Sequence, residues 1–103
     1  MNSQFKKGII ELCVIAVIAK KDMYGYEVID TISSVLDVNE NTIYPILRRL
    51  TEQDLLENYI VTTAIGAPRK YYRLTPKGIK RFEELRQEWV SFLGGVVQLI
   101  GGL

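Results

Sequence analysis

The stretch from Gln4 to Lys20 is helical in pattern and apolar nearly all round. Ile9, Leu12, Cys13, Ala16 and Val17 mark one face, and Ile10, Val14, Ile15 and Ile18 mark another. A helix that is apolar on two sides must be covered on two sides. A chain of 103 residues has room for one domain, and one small domain seldom covers both. The pattern therefore predicts intrachain packing on one side and a partner subunit on the other. The run from Gly8 to Ala19 is too short to span a bilayer and is interrupted by Glu11. The N-terminus does not read as a signal peptide. A soluble, cytoplasmic protein with no membrane partner is expected.

Beyond a polar break at Lys20–Met23, where Asp22 reads as a helix start, a second helix is predicted from Tyr24 to Leu36. Val28, Ile29, Ile32, Val35 and Leu36 share one of its faces. After a short turn, Asn39 is a good N-cap type. A third helix follows from Asn41 to Gln53, with Ile43, Ile46, Leu47 and Leu50 as its buried stripe. Pro45 removes a backbone donor and is tolerable only near a helix start, which places that start at Glu40 or Asn41. From Asp54 to Ile65 the period changes to two, in a segment rich in β-branched and aromatic residues, and predicts a strand. Gly66-Ala67-Pro68 supplies a turn and Arg69–Leu74 the returning strand. Thr75-Pro76 opens a last helix. In it Phe82, Leu85, Trp89, Phe92, Val96, Leu99 and Leu103 recur at alternating spacings of 3 and 4, a seven-residue seam. The expected fold is mainly α with a β-hairpin: a winged helix-turn-helix at about 4–75, then a dimerisation helix at about 76–103 packed against helix 4–20, all within one domain.

The second and third helices read as a helix-turn-helix unit. Its second helix would present Asn41, Thr42 and Tyr44, with Arg48 one turn on and Arg49 beside it, to the major groove of double-stranded DNA. Asn suits adenine and Arg suits guanine in bidentate pairs. The bland reading is a solvated helix face. The formal charge is only +1, but its distribution favours nucleic acid: residues 40–81 carry eight basic and four acidic side chains, against four and five in residues 1–39. Between Ile65 and Arg81 there are six basic residues and no acidic one. A basic hairpin after a reading helix can lie along the phosphate backbone, although charged strands also discourage edge aggregation. Tyr71 and Tyr72 point to opposite faces of their strand, and which one faces out depends on the register. The seam, including Phe82, Leu85, Trp89, Phe92, Val96 and Leu99 together with Leu12 of the first helix, is the expected homodimer interface. Two-fold symmetry would set two reading helices on a palindrome. Trp89 there is either core or, with its dimer mate, the wall of an aromatic effector cavity.

Catalysis and metal binding have little support. The chain has no histidine and a single cysteine, Cys13. That argues against a transition-metal site, rules out an intrachain disulfide, and leaves Cys13 as a small hydrophobe in an apolar run rather than a redox sensor. No glycine-rich phosphate loop and no nucleophile–base spacing is present, so neither an enzyme nor a cofactor is expected.

Several segments, taken together, resemble the PadR family of bacterial transcriptional regulators. They are Ile10-Glu11-Leu12-Cys13-Val14-Ile15, Tyr24-Gly25-Tyr26-Glu27-Val28, the run from Asn41 to Leu50, and the run from Arg69 to Gly78. They span nearly the whole chain in order, and the single last helix resembles the short-tailed subgroup. The resemblance implies a winged helix-turn-helix dimer, usually a repressor, held by the last helix. It places Thr42, Tyr44 and Pro45 at the DNA-facing start of the reading helix, Arg69 and Lys70 in the wing, and Tyr24 and Gly25 near the DNA backbone. Asn39 and Tyr72 are carried with them as DNA-facing candidates. Some short-tailed members sense aromatic compounds through a tryptophan in a central dimer pore. Trp89 matches that position, and Cys13, Val17 and Phe92 join it as possible effector contacts. A ligand-responsive repressor, a regulator with no small-molecule effector and a protein-interaction module are the three functional readings.

Overall fold

The computed structural model describes residues 3–102. Met1, Asn2 and Leu103, the last residue of the seam, lie outside it. The element order is α1 (Ser3–Lys20), β1 (Met23–Tyr24), α2 (Gly25–Ser33), α3 (Glu40–Glu52), β2 (Leu56–Val61), β3 (Arg69–Leu74) and α4 (Pro76–Ile100). This is a winged helix-turn-helix with a long C-terminal helix. The core gathers Ile10, Val14, Ile15 and Ile18 of α1, Val28 and Ile32 of α2, the stripe Ile43, Ile46, Leu47 and Leu50 of α3, and Leu55 and Leu56. The second face of α1 (Ile9, Leu12, Cys13, Ala16, Val17) is only half-buried, although α4 runs along this helix.

Two predicted boundaries shift. Tyr24 does not begin α2 in helical conformation. It is the extended residue before it, and its N–H donates to the Glu27 carboxylate at 3.2 Å. Asp22 is not the helix start either, since its carboxylate accepts the Tyr59 hydroxyl at 2.6 Å. At the other end, the Ser33 and Ser34 hydroxyls bond back to the carbonyls of Asp30 and Thr31, an alternative to continuing the helix. Val35, expected on the buried face, is therefore 81 % exposed.

The sheet has a third strand that the sequence reading did not contain. Met23–Tyr24 pairs with β3, giving an antiparallel sheet in the order β1-β3-β2. The predicted strand Asp54–Ile65 contracts at both ends to Leu56–Val61: its last residues belong to the turn, where the Thr63 hydroxyl donates to the Ile65 carbonyl at 2.8 Å, and its first residues end α3. Asp54 takes a left-handed φ of 62°. Its N–H reaches the Thr51 carbonyl at 3.0 Å and the Leu55 N–H reaches Leu50 at 3.0 Å, the pair of bonds that closes a helix with a left-handed residue. Leu55 then meets the start of α4. Its carbonyl accepts the Thr75 N–H at 3.1 Å, and the Thr75 hydroxyl donates to the Asp54 carbonyl at 2.5 Å. Thr75 also caps α4 by accepting the Gly78 N–H at 2.9 Å. Gly78 is buried so tightly here that a Cβ would stand 2.0 Å from the Leu55 oxygen.

α4 continues through Gly94-Gly95 to Ile100 and is closed by Gly101 at φ 95°. The seam divides along its length. Phe82 and Leu85 pack against the core. Trp89 is half-buried, and Phe92, Val96 and Leu99 are exposed, Leu99 to 88 %. Val90, Leu93 and Ile100, off the seam, are exposed as well, so the last three turns of α4 are apolar on more than one side.

Candidate nucleic-acid interface

The interface is built around α3. Asn39 caps it, its side chain accepting the Asn41 N–H at 2.9 Å. Asn39 is thus committed to the helix start, and Asn41, Thr42, Tyr44, Pro45 and Arg48 project from the helix beyond it. Pro45 sits inside the helix rather than in its first turn. It brings no N–H to the carbonyl four residues back, so the Asn41 carbonyl at the exposed end of α3 lacks its helical partner.

Two grooves join α3 to its neighbours on this side. One, of about 340 Å³, lies between Tyr44 and Arg48 of α3 and Asn58, Lys70 and Tyr72 of the hairpin. The second, of about 430 Å³, runs from Tyr24, Gly25 and Tyr26 past Tyr44 to Pro68, Arg69 and Lys70. The start of α2, the reading helix and the wing therefore share one continuous face. Gly25 allows the close approach that makes it so: a Cβ there would lie 2.9 Å from the Tyr44 ring. At the start of α2 the Glu27 carboxylate takes the Tyr24 N–H and pairs with Lys21 at 3.6 Å.

The register settles the two adjacent tyrosines. Tyr72 pairs with Met23 and Asn58, and Tyr71 with Tyr24 and Tyr59. Tyr72 packs against the core, and burial pushes its phenol pKa up. It stands as the floor of both grooves rather than as a freely projecting contact. Tyr71 belongs to the other face of the sheet, where Tyr24, Tyr71 and Tyr59 form a row with ring centroids 5.5 and 5.7 Å apart. Arginines close the row at both ends. Arg69 lies 4.6 Å over the Tyr24 ring. Arg73 lies 5.1 Å over Tyr59 and pairs with Glu57 at 2.7 Å. Arg69 is thereby held at the wing by a cation–π contact, while the neighbouring Lys70 faces the groove.

Arg49 departs from the expected set. Its guanidinium pairs with Glu11 of α1, and both side chains are 29 % exposed. A half-buried carboxylate in an otherwise apolar helix needs a counterion. Arg49 supplies it, which ties α3 to α1 instead of adding a free cation to the wing side.

The residues considered for an aromatic effector fall into two groups. Trp89 meets Phe5 and Phe92 edge-on, with centroids 5.5 and 5.9 Å apart, and leans on Gly8. Cys13 and Val17 are half-buried against the core, and burial pushes the Cys13 thiol pKa up. That disfavours the thiolate and supports its reading as a small hydrophobe. Among the described residues, no group of acidic or cysteine side chains could hold a metal ion. No described helix is long and apolar enough to cross a membrane.

A reading helix, a short helix before it and a basic wing on one face define a winged-helix DNA-binding class of regulator. Comparison with known proteins narrows the class. Residues 14–84 match the model of the transcriptional regulator PadR-like family, and the chain belongs to that family. It is similar to a PadR-like transcriptional regulator of Bacillus cereus (34 % identity over 98 % of this chain and 100 % of the other, TM-score 0.86). A PadR-like transcription factor of Bacteroides fragilis is 37 % identical over 94 % of this chain and 95 % of its own, with a TM-score of 0.80. The fold is shared more distantly with Bacillus subtilis PadR, solved in complex with operator DNA. That likeness has 18 % identity over 74 % of this chain and 45 % of the other, with a TM-score of 0.66.

Proposed function

We propose that the protein is a homodimeric, sequence-specific repressor acting on DNA in the cytoplasm, with the winged unit at about 4–75 and the dimerisation helix at 76–103 working as one domain. The observation that carries this reading is the single face shared by the start of α2, the exposed side of α3 and the wing. On that face lie Tyr44 and Arg48, which with Asn41 at the exposed start of α3 read base edges. Arg69 and Lys70 grip phosphate. The exposed apolar end of α4, including Phe92, Val96 and Leu99, supports a two-fold partner, which would place two copies of α3 on a palindromic operator.

The test is fluorescence anisotropy with the duplex upstream of the protein's own gene, run across a salt series against scrambled duplex. Preference of roughly a thousandfold or more supports a specific regulator, and in Arg48→Ala that preference should shrink. Equal, weak binding to both duplexes would turn the reading toward a protein-interaction module. A second reading adds release by a small aromatic effector held between two protomers at Trp89 and Phe92, favoured by the partly exposed aromatic cluster around Phe5. Trp89 is the lone tryptophan, so quenching by a planar aromatic ligand reports on that site directly. An unquenched spectrum would leave a regulator without an effector.

A further inference from the structure

α3 has two exposed flanks. One, with Tyr44 and Arg48, looks across a groove to the wing. The other, with Thr42, Pro45 and Arg49, faces a cleft of about 320 Å³ whose far wall is the beginning of α1. Lys6 and Lys7 stand on that wall, and both are exposed. Among the described residues neither lysine has an ion-pair partner. The nearby carboxylate on α1, Glu11, is already taken by Arg49. Asp37 lines a neighbouring groove with Lys6 without forming an ion pair to it. The first turn of α1 carries no acidic residue.

This cleft therefore joins two uncompensated ammonium groups and the Thr42 hydroxyl on the side of α3 away from the wing. A helix with its side chains is about 10–12 Å across and fills a major groove about 12 Å wide. When it is seated there, a phosphate backbone runs along each of its flanks. The wing meets one backbone. We infer that Lys6 and Lys7, with Thr42, form a second phosphate-binding site for the backbone on the opposite side of the reading helix, so that each protomer grips the groove from both walls. The inference rests on the proposed DNA-binding function and adds residues that neither the helix-turn-helix nor the wing contains. Ammonium groups on flexible stems suit phosphate as point charges and carry no sequence information.

The test needs no operator, because phosphates are present on any duplex. Binding of scrambled duplex is measured by anisotropy from 50 to 200 mM salt for the full chain, for Lys6→Ala/Lys7→Ala, for Lys6→Arg/Lys7→Arg, and for Lys20→Ala/Lys21→Ala at the far end of α1. Each phosphate contact contributes about 0.9 to the slope of log K against log salt. Two lost contacts per half-site lower the slope by about 1.8, so over this fourfold salt range wild type loses about twelvefold more affinity per half-site than the alanine pair. The arginine pair should retain the wild-type slope, and the Lys20/Lys21 pair should leave it unaltered. A wild-type slope in that variant overturns this site while leaving the proposed function standing. Equal slope losses in both alanine pairs would reduce the effect to overall charge and also overturn it. Wild-type protein that binds no duplex at any salt overturns both readings together.

Discussion

Replacing Gly78 with alanine should be among the most damaging single changes in the chain. The added Cβ would stand 2.0 Å from the Leu55 carbonyl oxygen and 3.0 Å from its carbon. Since Cβ contacts under 3.0 Å essentially do not occur, the start of α4 and Leu55 must part by at least 1.0 Å. The obstacle is backbone, and it cannot swing aside. The Leu55 N–H is held by Leu50 and its carbonyl by Thr75. Overpacking of this kind costs about 1–3 kcal/mol. Parting the elements also weakens the Thr75 N–H bond to Leu55 and the Thr75 hydroxyl bond to Asp54, each worth about 1 kcal/mol. Alanine returns about 1 kcal/mol through helix propensity. The net destabilisation is about 2–4 kcal/mol, which for a domain of this size lowers Tm by roughly 10–25 °C. Thermal melts followed by circular dichroism would measure it, at one protein concentration because the Tm of the proposed dimer would depend on concentration. A Tm within about 3 °C of wild type would show that the junction gives way easily and would refute the reasoning.

Gly25→Ala separates fold from function. Its Cβ would meet the end of the Tyr44 ring at 2.9 Å, and an exposed ring can move, so Tm should change little while operator affinity drops about tenfold, in the range of one lost base contact; unchanged affinity would remove Tyr44 from the contact set. Phe92→Asp places an unpaired charge on the apolar end of α4 and should convert the proposed dimer to monomer in sedimentation at micromolar concentration, whereas a persistent dimer would move the interface elsewhere. Burial raises the Tyr72 phenol pKa above its ordinary range, with the nearby Tyr44 adding to the shift, so the folded chain holds that proton more tightly than the unfolded chain. The stabilisation is complete below the unfolded value, about 10, and is lost as pH rises from there through the folded value. Tyr72→Phe should therefore lose less stability than wild type between neutral and strongly alkaline pH, and identical losses in urea titrations would contradict the assignment.

Periodicity revealed most of the fold because most elements are long enough to repeat it. The stripe of α3 and the β3 span agree with the pattern residue by residue. β1 was illegible because two residues cannot display a period of two, and its pairing with β3 is a long-range event. The end of α2 was misplaced because Val35 and Leu36 keep the apolar spacing beyond serines whose hydroxyls already bond back to the backbone. The choice between Tyr71 and Tyr72 required the strand register, which an isolated strand pattern leaves open.

At the candidate interface, the charge clustering and the start of α3 were visible in the chain. The departure of Arg49 was not, although a signal existed: Glu11 is the lone charge within the apolar run from Gly8 to Ala19 and had to find a cation on another element. Gly78 carried a signal too, a glycine inside the first turn of a helix already started by Thr75-Pro76. A close backbone approach explains it better than flexibility does.

The junction at Leu55 has a mechanical consequence. The end of α3, the turn at Asp54 and the first turn of α4 are bonded to one another through Leu55 and Thr75 without a flexible joint. In the proposed dimer each protomer therefore behaves as a bell crank, with α4 as one arm and α3 as the other. A change in the angle at which two α4 helices cross is not absorbed at the junction. It reappears as a change in the distance between the two copies of α3, and operator half-sites about 34 Å apart set that distance. In that dimer the operator spacing would be set at the far end of α4, well away from the bases that α3 would touch.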